Sequence, residues 1–289
     1  MLAASFCMYG SLHATEYQYS QGKLSMQGGF IGLESTIDAD VSMHTMTEKH
    51  KNIFSSTWYY HYDFTWYDSD KLVNAQQTLN SSSSLLPFGY TPSGLIPAIN
   101  YRYEGLDANI VIGKDLYHKD KRTFFGLGLG VGISIPWVES DKDSSNDDDY
   151  SDDIMDAMKK SKTEMLTYKL GLSINSSYAL NEHFMLYFNG MYAYQNGSME
   201  NDYLKSELNV DGIFQQYDAG IKLQPFAKDY ETKYMTLSPR IYASFGYRYV
   251  SWKLKDVAFD VTGAGVALPK SDFESETSSL YVGFGYDFF

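Results

Sequence analysis

Cysteine, proline and positive charge are all scarce in this chain of 289 residues. The single cysteine, Cys7, lies in the N-terminal stretch discussed below, so the rest of the chain can form neither a disulfide nor a cysteine metal site. Lys and Arg total 23 against 36 Asp and Glu, which leaves a net charge of −13 at pH 7. Such a chain lacks the basic surface that phosphate binding needs, so nucleic acid is excluded as a partner.

Long apolar runs are absent as well. No stretch of about 18 apolar residues occurs, which argues against a helical membrane protein. The mean hydropathy of −0.34 does not exclude a membrane β-barrel, because the interior and loops of such barrels are polar. Aromatic residues are plentiful instead, with 26 tyrosines, which is high for a soluble domain.

The N-terminal stretch "MLAASFCMYGSLHA" is a short apolar segment followed by a possible cleavage point after Ala14. It resembles the apolar region and cleavage site of a secretory signal, although a positive N-terminal region is missing and Leu12 is unfavourable at its position. The sequence therefore predicts an incomplete signal peptide over residues 1–14 and one domain over residues 15–289.

Most of that domain alternates between large apolar residues and small or polar residues. In "RTFFGLGLGVGISIPWV" (122–138), one face carries Phe, Leu, Val, Ile and Trp, while the other carries mainly Gly. A period of two over such a length indicates a β-strand. The pattern predicts ten strands, with eight or twelve as alternatives: 22–34, 37–47, 52–69, 97–117, 122–138, 162–180, 184–197, 209–226, 233–253 and 275–289.

Two of these strands are irregular. The first two are expected to join in a hairpin near residues 34–36, although residues 28–46 could also form one long bent strand. In the fourth strand the apolar residues change face near Glu104–Gly105, which predicts a β-bulge.

Three features favour a membrane barrel over a soluble β-sandwich, which is the alternative fold. The strands are longer than sandwich strands, and Tyr and Trp gather near strand ends. Short connections at 47–51, 118–121, 181–183 and 227–232 alternate with long ones at 70–96, 139–161, 198–208 and 254–274, as in outer-membrane barrels. We therefore predict an all-β, transmembrane, antiparallel up-and-down β-barrel with both termini on the short-connection, periplasmic side.

The C-terminal sequence "SSLYVGFGYDFF" resembles the last strand of bacterial outer-membrane β-barrel proteins. That strand typically ends in Phe, with apolar residues at alternate positions before it. The match here is displaced by one residue and comprises Leu280, Val282, Phe284, Tyr286 and Phe288, followed by Phe289. The resemblance implies a Gram-negative outer-membrane location, contact with lipid and lipopolysaccharide, and recognition of this strand by the barrel assembly machinery.

Charged residues on the predicted inner face are the candidate lumen-lining residues. They are His61, Asp63, Asp107, Lys169, Asp218, Lys222, Arg240 and Arg248. Opposite charges in a narrow lumen are expected to pair, and a ten-strand barrel lies nearer to the filled eight-strand barrels than to open porins. The lumen is thus either a salt-bridged, stiff interior or a narrow polar conduit for small solutes.

Enzymatic chemistry has weak support in the sequence. His61 and Asp63 lie two residues apart on one face, which permits an outer-membrane hydrolase of omptin-like size. No G-x-S-x-G or H-E-x-x-H motif occurs. We therefore predict a non-enzymatic protein without cofactor or catalytic residues, either structural or a narrow pore.

A surface-binding, adhesin-type barrel is the first alternative, and the hydrolase is the second. Surface binding would use the links 70–96, 139–161 and 254–274. The stretch 139–156, "ESDKDSSNDDDYSDDIMD", could contact a surface ligand. Its carboxylates lack the spacing of a Ca²⁺-binding loop, so no metal site is predicted there.

Overall fold

A computed structural model describes residues 15–30, 33–51, 53, 57–70, 101–117, 122–140, 162–201, 206–226, 230–231, 236–237, 241–257 and 271–286. These ranges contain twelve strands: β1 (Thr15–Phe30), β2 (Leu33–Lys51), β3 (Trp58–Ser69), β4 (Tyr101–Asp115), β5 (Thr123–Ser140), β6 (Lys162–Ala179), β7 (Phe184–Asn201), β8 (Ser206–Leu223), β9 (Tyr230–Glu231), β10 (Thr236–Leu237), β11 (Ile241–Val257) and β12 (Ser271–Tyr286). Within them, no helix is both long enough and apolar enough to span a bilayer.

Ten of the strands close into a barrel. Each pairs antiparallel with its neighbours in the order β1, β2, β3, β4, β5, β6, β7, β8, β11, β12, and β12 returns to β1. The closing pair runs from Glu16 opposite Gly285 to Gly28 opposite Phe273. The two-residue strands β9 and β10 pair only with each other. The predicted ten-strand antiparallel barrel is confirmed, and its even number of strands is that of outer-membrane barrels.

The strand ends differ from the prediction at two hairpins. Phe30 pairs with Leu33 and Gly29 with Glu34, so residues 34–36 lie within the paired part of β2 and the hairpin predicted near them is wrong. Asn201 pairs with Ser206, so the predicted long link 198–208 is wrong. At this second hairpin the paired backbone runs further than the sequence pattern indicated, because Ser198, Glu200 and Glu207 interrupt the run of apolar residues.

The bulge predicted near Glu104–Gly105 is also wrong. Glu104 pairs with Asp68 and Gly105 with Tyr67, in unbroken register along β3 and β4. The register shift that the described strands do contain lies between β11 and β12, near Leu254.

An outward apolar belt surrounds the half of the barrel that includes the chain termini. Its members are large apolar side chains exposed on the outer wall: Phe64, Trp66, Ile110, Ile112, Leu127, Leu129, Val131, Tyr168, Leu170, Leu172, Ile174, Leu186, Phe188, Tyr192, Tyr194, Tyr217, Ile221, Phe245, Tyr247, Leu280, Val282 and Phe284. Such a belt is the lipid-facing surface of a membrane barrel.

The polarity of the wall inverts along each strand. On β1 the inward residues begin with buried Glu16 and Gln18 and continue with buried Leu24. The outward residues change in the opposite sense, from Tyr17 to Lys23, which is paired with Asp40 on the exposed surface. The same alternate positions of the strand face inward along its whole length. The half of the barrel nearer the links 71–100, 141–161 and 258–270 is therefore apolar inside and polar outside, like a water-soluble barrel.

Candidate functional site: the barrel interior

The centre of the interior holds a buried ion pair between β6 and β4. The side chain of Lys169 is 0% exposed and that of Asp107 is 7% exposed, and Lys169 Nζ contacts Asp107 Oδ1. Lys169 Nζ also donates to Asn109 Oδ1 at 3.0 Å, and Ser134 Oγ donates to Asp107 Oδ1 at 2.6 Å. The ammonium lies 3.7 Å from the ring centroid of Phe214. Each charge therefore has polar partners from neighbouring strands, which a buried ion pair requires.

A second ion pair joins Arg248 of β11 to Asp218 of β8, and residues of the first and last strands bond to it. Arg248 Nη2 donates to Asp218 Oδ2 at 3.0 Å and to Gln18 Oε1 at 2.6 Å. Arg248 Nη1 contacts Thr45 Oγ1, and Tyr281 Oη donates to Asp218 Oδ1. One guanidinium thus bonds to β1, β2 and β8, which fixes the relative positions of these strands.

A third ion pair lies nearer the chain termini. Lys222 Nζ donates to Glu16 Oε2 at 2.6 Å, and Tyr242 Oη donates to the same oxygen at 2.8 Å. Ser244 Oγ donates to Glu16 Oε1. Glu16 was missed at the sequence level because the first strand was predicted to begin at residue 22. The signal available in the sequence was the spacing of Glu16 and Gln18, which lie two residues apart and therefore share one face of a strand.

His61 and Asp63 are both buried but bond to different partners. His61 bonds to Asn175 and Thr47, whereas Asp63 Oδ1 accepts a hydrogen bond from Asn109 Nδ2 at 3.1 Å. Arg240, the remaining predicted lumen residue, lies outside the described residues.

The contacts of His61 form a hydroxyl–imidazole–amide chain. Asn175 Nδ2 donates to Tyr59 Oη at 3.2 Å and to Ser173 Oγ at 2.9 Å. Asn175 Oδ1 therefore accepts the proton of His61 Nδ1, at 2.7 Å. This tautomer leaves the lone pair of His61 Nε2 facing Thr47 Oγ1, at 2.9 Å. The single hydroxyl proton of Thr47 also has the backbone oxygen of Tyr62 as an acceptor, at 3.1 Å. A hydroxyl, an imidazole and an orienting amide in this order have the geometry of a nucleophile with its general base.

Two lysines that the sequence reading missed lie at the end of the barrel near the short connections. Lys49 Nζ and Lys51 Nζ lie 4.8 and 4.7 Å from the ring centroid of Phe124. Lys49 also donates to Asn189 Oδ1 at 3.2 Å. These cation–π contacts contribute to the local stabilisation of the two ammonium groups.

The other half of the interior is filled by an apolar plug. Its members form one buried cluster: Leu24, Met26, Val41, Met43, Tyr67, Tyr103, Met165, Met191, Ala193, Val210, Phe214, Trp252 and Leu254. A cavity of about 20 Å³ lies between Tyr67, Trp252 and Asp107, which is room for about one water molecule. This cavity therefore has no room for a hydrated solute.

Inward tyrosines pack on glycines of the neighbouring strand. Tyr281 lies opposite Gly246 and Tyr242 opposite Gly285. A Cβ built on Gly246 would stand 2.4 Å from Tyr281 Oη, and one on Gly285 would stand 2.3 Å from the Tyr242 ring. Each glycine thus makes room for a ring whose hydroxyl bonds into the ion-pair network.

Three members of the predicted assembly signal, Leu280, Val282 and Phe284, are exposed on the outer face of β12. Tyr286 ends that strand, whereas Phe288 and Phe289 lie outside the described residues. Most of the acidic stretch 139–156 also lies outside them. Among the described residues, no three His, Cys, Asp or Glu side chains converge as a metal site.

Comparisons with known proteins give structural neighbours only. No protein-family model and no curated protein matches the chain. The outer-membrane protease OmpT of Escherichia coli matches at a TM-score of 0.48 and 11% identity, covering 95% of this chain and 97% of that one. Ail, the attachment invasion locus protein of Yersinia pestis, matches at 0.30 and 9% identity, covering 94% and 99%. The translocator domain of autotransporter NalP from Neisseria meningitidis matches at 0.34 and 9% identity, covering 97% and 90%.

Proposed function

We propose that the protein is a non-enzymatic barrel of the bacterial outer membrane with a closed interior. In this proposal it is a rigid structural barrel that carries the links 71–100, 141–161 and 258–270 on the cell surface, and it is not a pore. Lipid and lipopolysaccharide contact the apolar belt, and the assembly machinery recognises β12. The even, antiparallel strand number and the outward belt support the location.

The observation that carries this proposal is the filled interior. The ion-pair networks of Lys169, Arg248 and Lys222 occupy one half of the lumen. The apolar plug occupies the other half, where a conduit for small solutes would need polar walls and water. A rigid barrel that supports surface links needs a filled lumen, whereas a pore needs an open one.

The test is planar-bilayer conductance of the refolded full chain, with folding verified by heat-modifiable migration on gels. We expect no conductance steps from the wild type. Arg248→Ala should lower the temperature at which the compact form is lost and leave conductance at the baseline. Reproducible steps from the folded wild type would refute the closed interior and support the narrow pore.

A hydrolase is the second candidate, and the Thr47–His61–Asn175 chain is the observation that favours it. Thr47 is half-buried, so part of this residue is accessible to solvent. A β-lactone probe that acylates nucleophilic hydroxyls tests this candidate on outer membranes containing the full chain. Labelling lost in Thr47→Ala but kept in the inward control Thr45→Ala would establish a nucleophile. Equal labelling of all variants, or none, would exclude it.

A further inference from the structure

The end of the lumen near the short connections contains two neighbouring lysines that face inward. Lys49 and Lys51 alternate along β2 with Thr47, whose hydroxyl contacts the buried imidazole of His61. Lys49 Nζ donates to Asn189 Oδ1 of β7, a strand that is not adjacent to β2 in the barrel, so this hydrogen bond crosses the lumen. We call Lys49 and Lys51 the inner lysine pair.

The ammonium groups of the inner lysine pair have more donors than partners. Each ammonium carries three N–H groups. Within the described part of the chain, Lys49 Nζ has one hydrogen-bond acceptor, Asn189 Oδ1, and Lys51 Nζ has none. The ring of Phe124 faces both nitrogens, but a ring face attracts a cation without accepting its protons as an oxygen does. Both lysines are half-buried, so solvent reaches part of each residue, and the remaining donors are available to a ligand.

The carboxylates that attract Lys49 are already bound to other groups. These carboxylates are Glu16 and Asp218. Both oxygens of Glu16 accept hydrogen bonds, one of them from Lys222 at 2.6 Å. Asp218 accepts a hydrogen bond from Arg248 at 3.0 Å, and its other oxygen accepts one from a tyrosine hydroxyl. The described ion pairs therefore join each carboxylate to a cation other than Lys49.

Positive charge therefore accumulates at this end of the lumen. Lys222 and Lys51 both repel Lys49. The carboxylate that attracts Lys51 is Asp115, whose Oδ1 accepts the backbone N–H of Tyr117 at 2.9 Å at the end of β4. Like charges repel one another more strongly in a partly desolvated interior than in water. An anion bound by the inner lysine pair would relieve this repulsion and use the donors that have no acceptor.

We propose that the inner lysine pair binds an oxyanion of the phosphate class, either as a free ion or as the phosphate of a lipid headgroup. A phosphate group has several acceptor oxygens, so it can accept hydrogen bonds from both ammonium groups at once, and lysine is a common partner of phosphate in proteins. The apolar plug fills the other half of the lumen, so the ligand enters from the end near the short connections. The inference rests on the contacts inside the barrel and does not depend on the proposed function.

Equilibrium dialysis of the refolded full chain against radiolabelled inorganic phosphate tests the site. The chain is held in octyl glucoside micelles, whose sugar headgroups carry no phosphate, with chloride as the competing anion at constant ionic strength. We expect saturable binding by the wild type, weakened about tenfold or more in Lys49→Met and in Lys51→Met. Lys114→Met is the matched control, because Lys114 is exposed beside Trp58 on the outer wall near the same end, and it should bind phosphate as the wild type does.

A second set of measurements distinguishes the two sources of phosphate. Phosphatidylethanolamine, whose headgroup phosphate carries no net charge into the micelle, is added to the same samples. Loss of phosphate binding identifies the lipid headgroup as the occupant, and unchanged binding identifies the free ion. Heat-modifiable migration verifies that each variant folds, and Lys51→Arg, which keeps the charge, should retain binding. The proposal is overturned if the folded wild type shows no saturable binding, if chloride displaces phosphate equally well, or if both Lys→Met variants bind as tightly as the wild type.

Discussion

Removal of Lys169 should be among the most destabilising single changes in the interior. Its side chain is fully buried against Asp107, which is itself 7% exposed. Lys169→Met leaves the Asp107 carboxylate buried without a counter-charge, which typically costs about 3–5 kcal/mol of the free energy of unfolding. The exposed pair Lys23–Asp40, whose side chains are 75% and 59% exposed, gives the matched control. Lys23→Met should leave the free energy of unfolding almost unchanged, because ion pairs between exposed side chains contribute little to stability.

The assay is urea unfolding of the refolded barrel in phospholipid vesicles, followed by tryptophan fluorescence and heat-modifiable migration. A double variant, Lys169→Met with Asp107→Asn, removes both charges and should recover more than half of the loss. Asparagine still accepts the hydrogen bond that Ser134 donates. The reasoning fails if Lys169→Met costs no more than Lys23→Met, or if the double variant is no more stable than Lys169→Met alone.

Three further changes probe other parts of the interior with the same unfolding assay. Gly246→Ala forces the Tyr281 ring from its position and should cost about 1–3 kcal/mol; an unchanged midpoint would contradict that packing. Phe214→Ala opens the apolar plug and should cost about 3–5 kcal/mol, whereas Phe245→Ala on the lipid face should cost clearly less, and equal losses would argue against a plug. His61→Leu leaves buried polar partners unsatisfied and should cost about 1–3 kcal/mol; full stability would show that these hydrogen bonds contribute nothing.

The period-two pattern, together with the strand lengths, the aromatic residues near strand ends and the alternation of short and long connections, was sufficient to predict the architecture. Each transmembrane segment must expose one face to lipid and turn the other inward, so alternation marks every strand regardless of its partners. The alternation of apolar and polar residues was hardest to recognise at strand ends. Thr15–Gln21 of β1, for example, carries two tyrosines among polar residues and was left out of the first predicted strand.

The polarity inversion explains why a bulge was predicted where none exists. On β4 the apolar residue Ile110 faces outward and the apolar residue Tyr103 faces inward, without any change in backbone parity. A reading that assumes one apolar face per strand interprets this as a change of face. On β2 the apolar residues Val41 and Met43 likewise face inward and are buried in the plug.

The contacts of the candidate site could not be predicted from the sequence. Lys169 and Asp107 are 62 residues apart, and His61 and Asn175 are 114 residues apart. Their contacts depend on barrel closure, strand register and shear, which set the residues that meet across the lumen. Parity identifies the inner face of a strand but not the partner that each inward side chain meets.

The long-range contacts of the interior also constrain the order of folding. Arg248 bonds to Gln18 across 230 residues of sequence, and Lys222 bonds to Glu16 across 206. Neither contact can form before the last hairpins are present beside the first strand, so the ion-pair network is completed only in the final step of folding. Contacts of such sequence separation slow folding because chain entropy is lost before they form. The interior is therefore expected to close late and, once closed, to hold the first and last strands together.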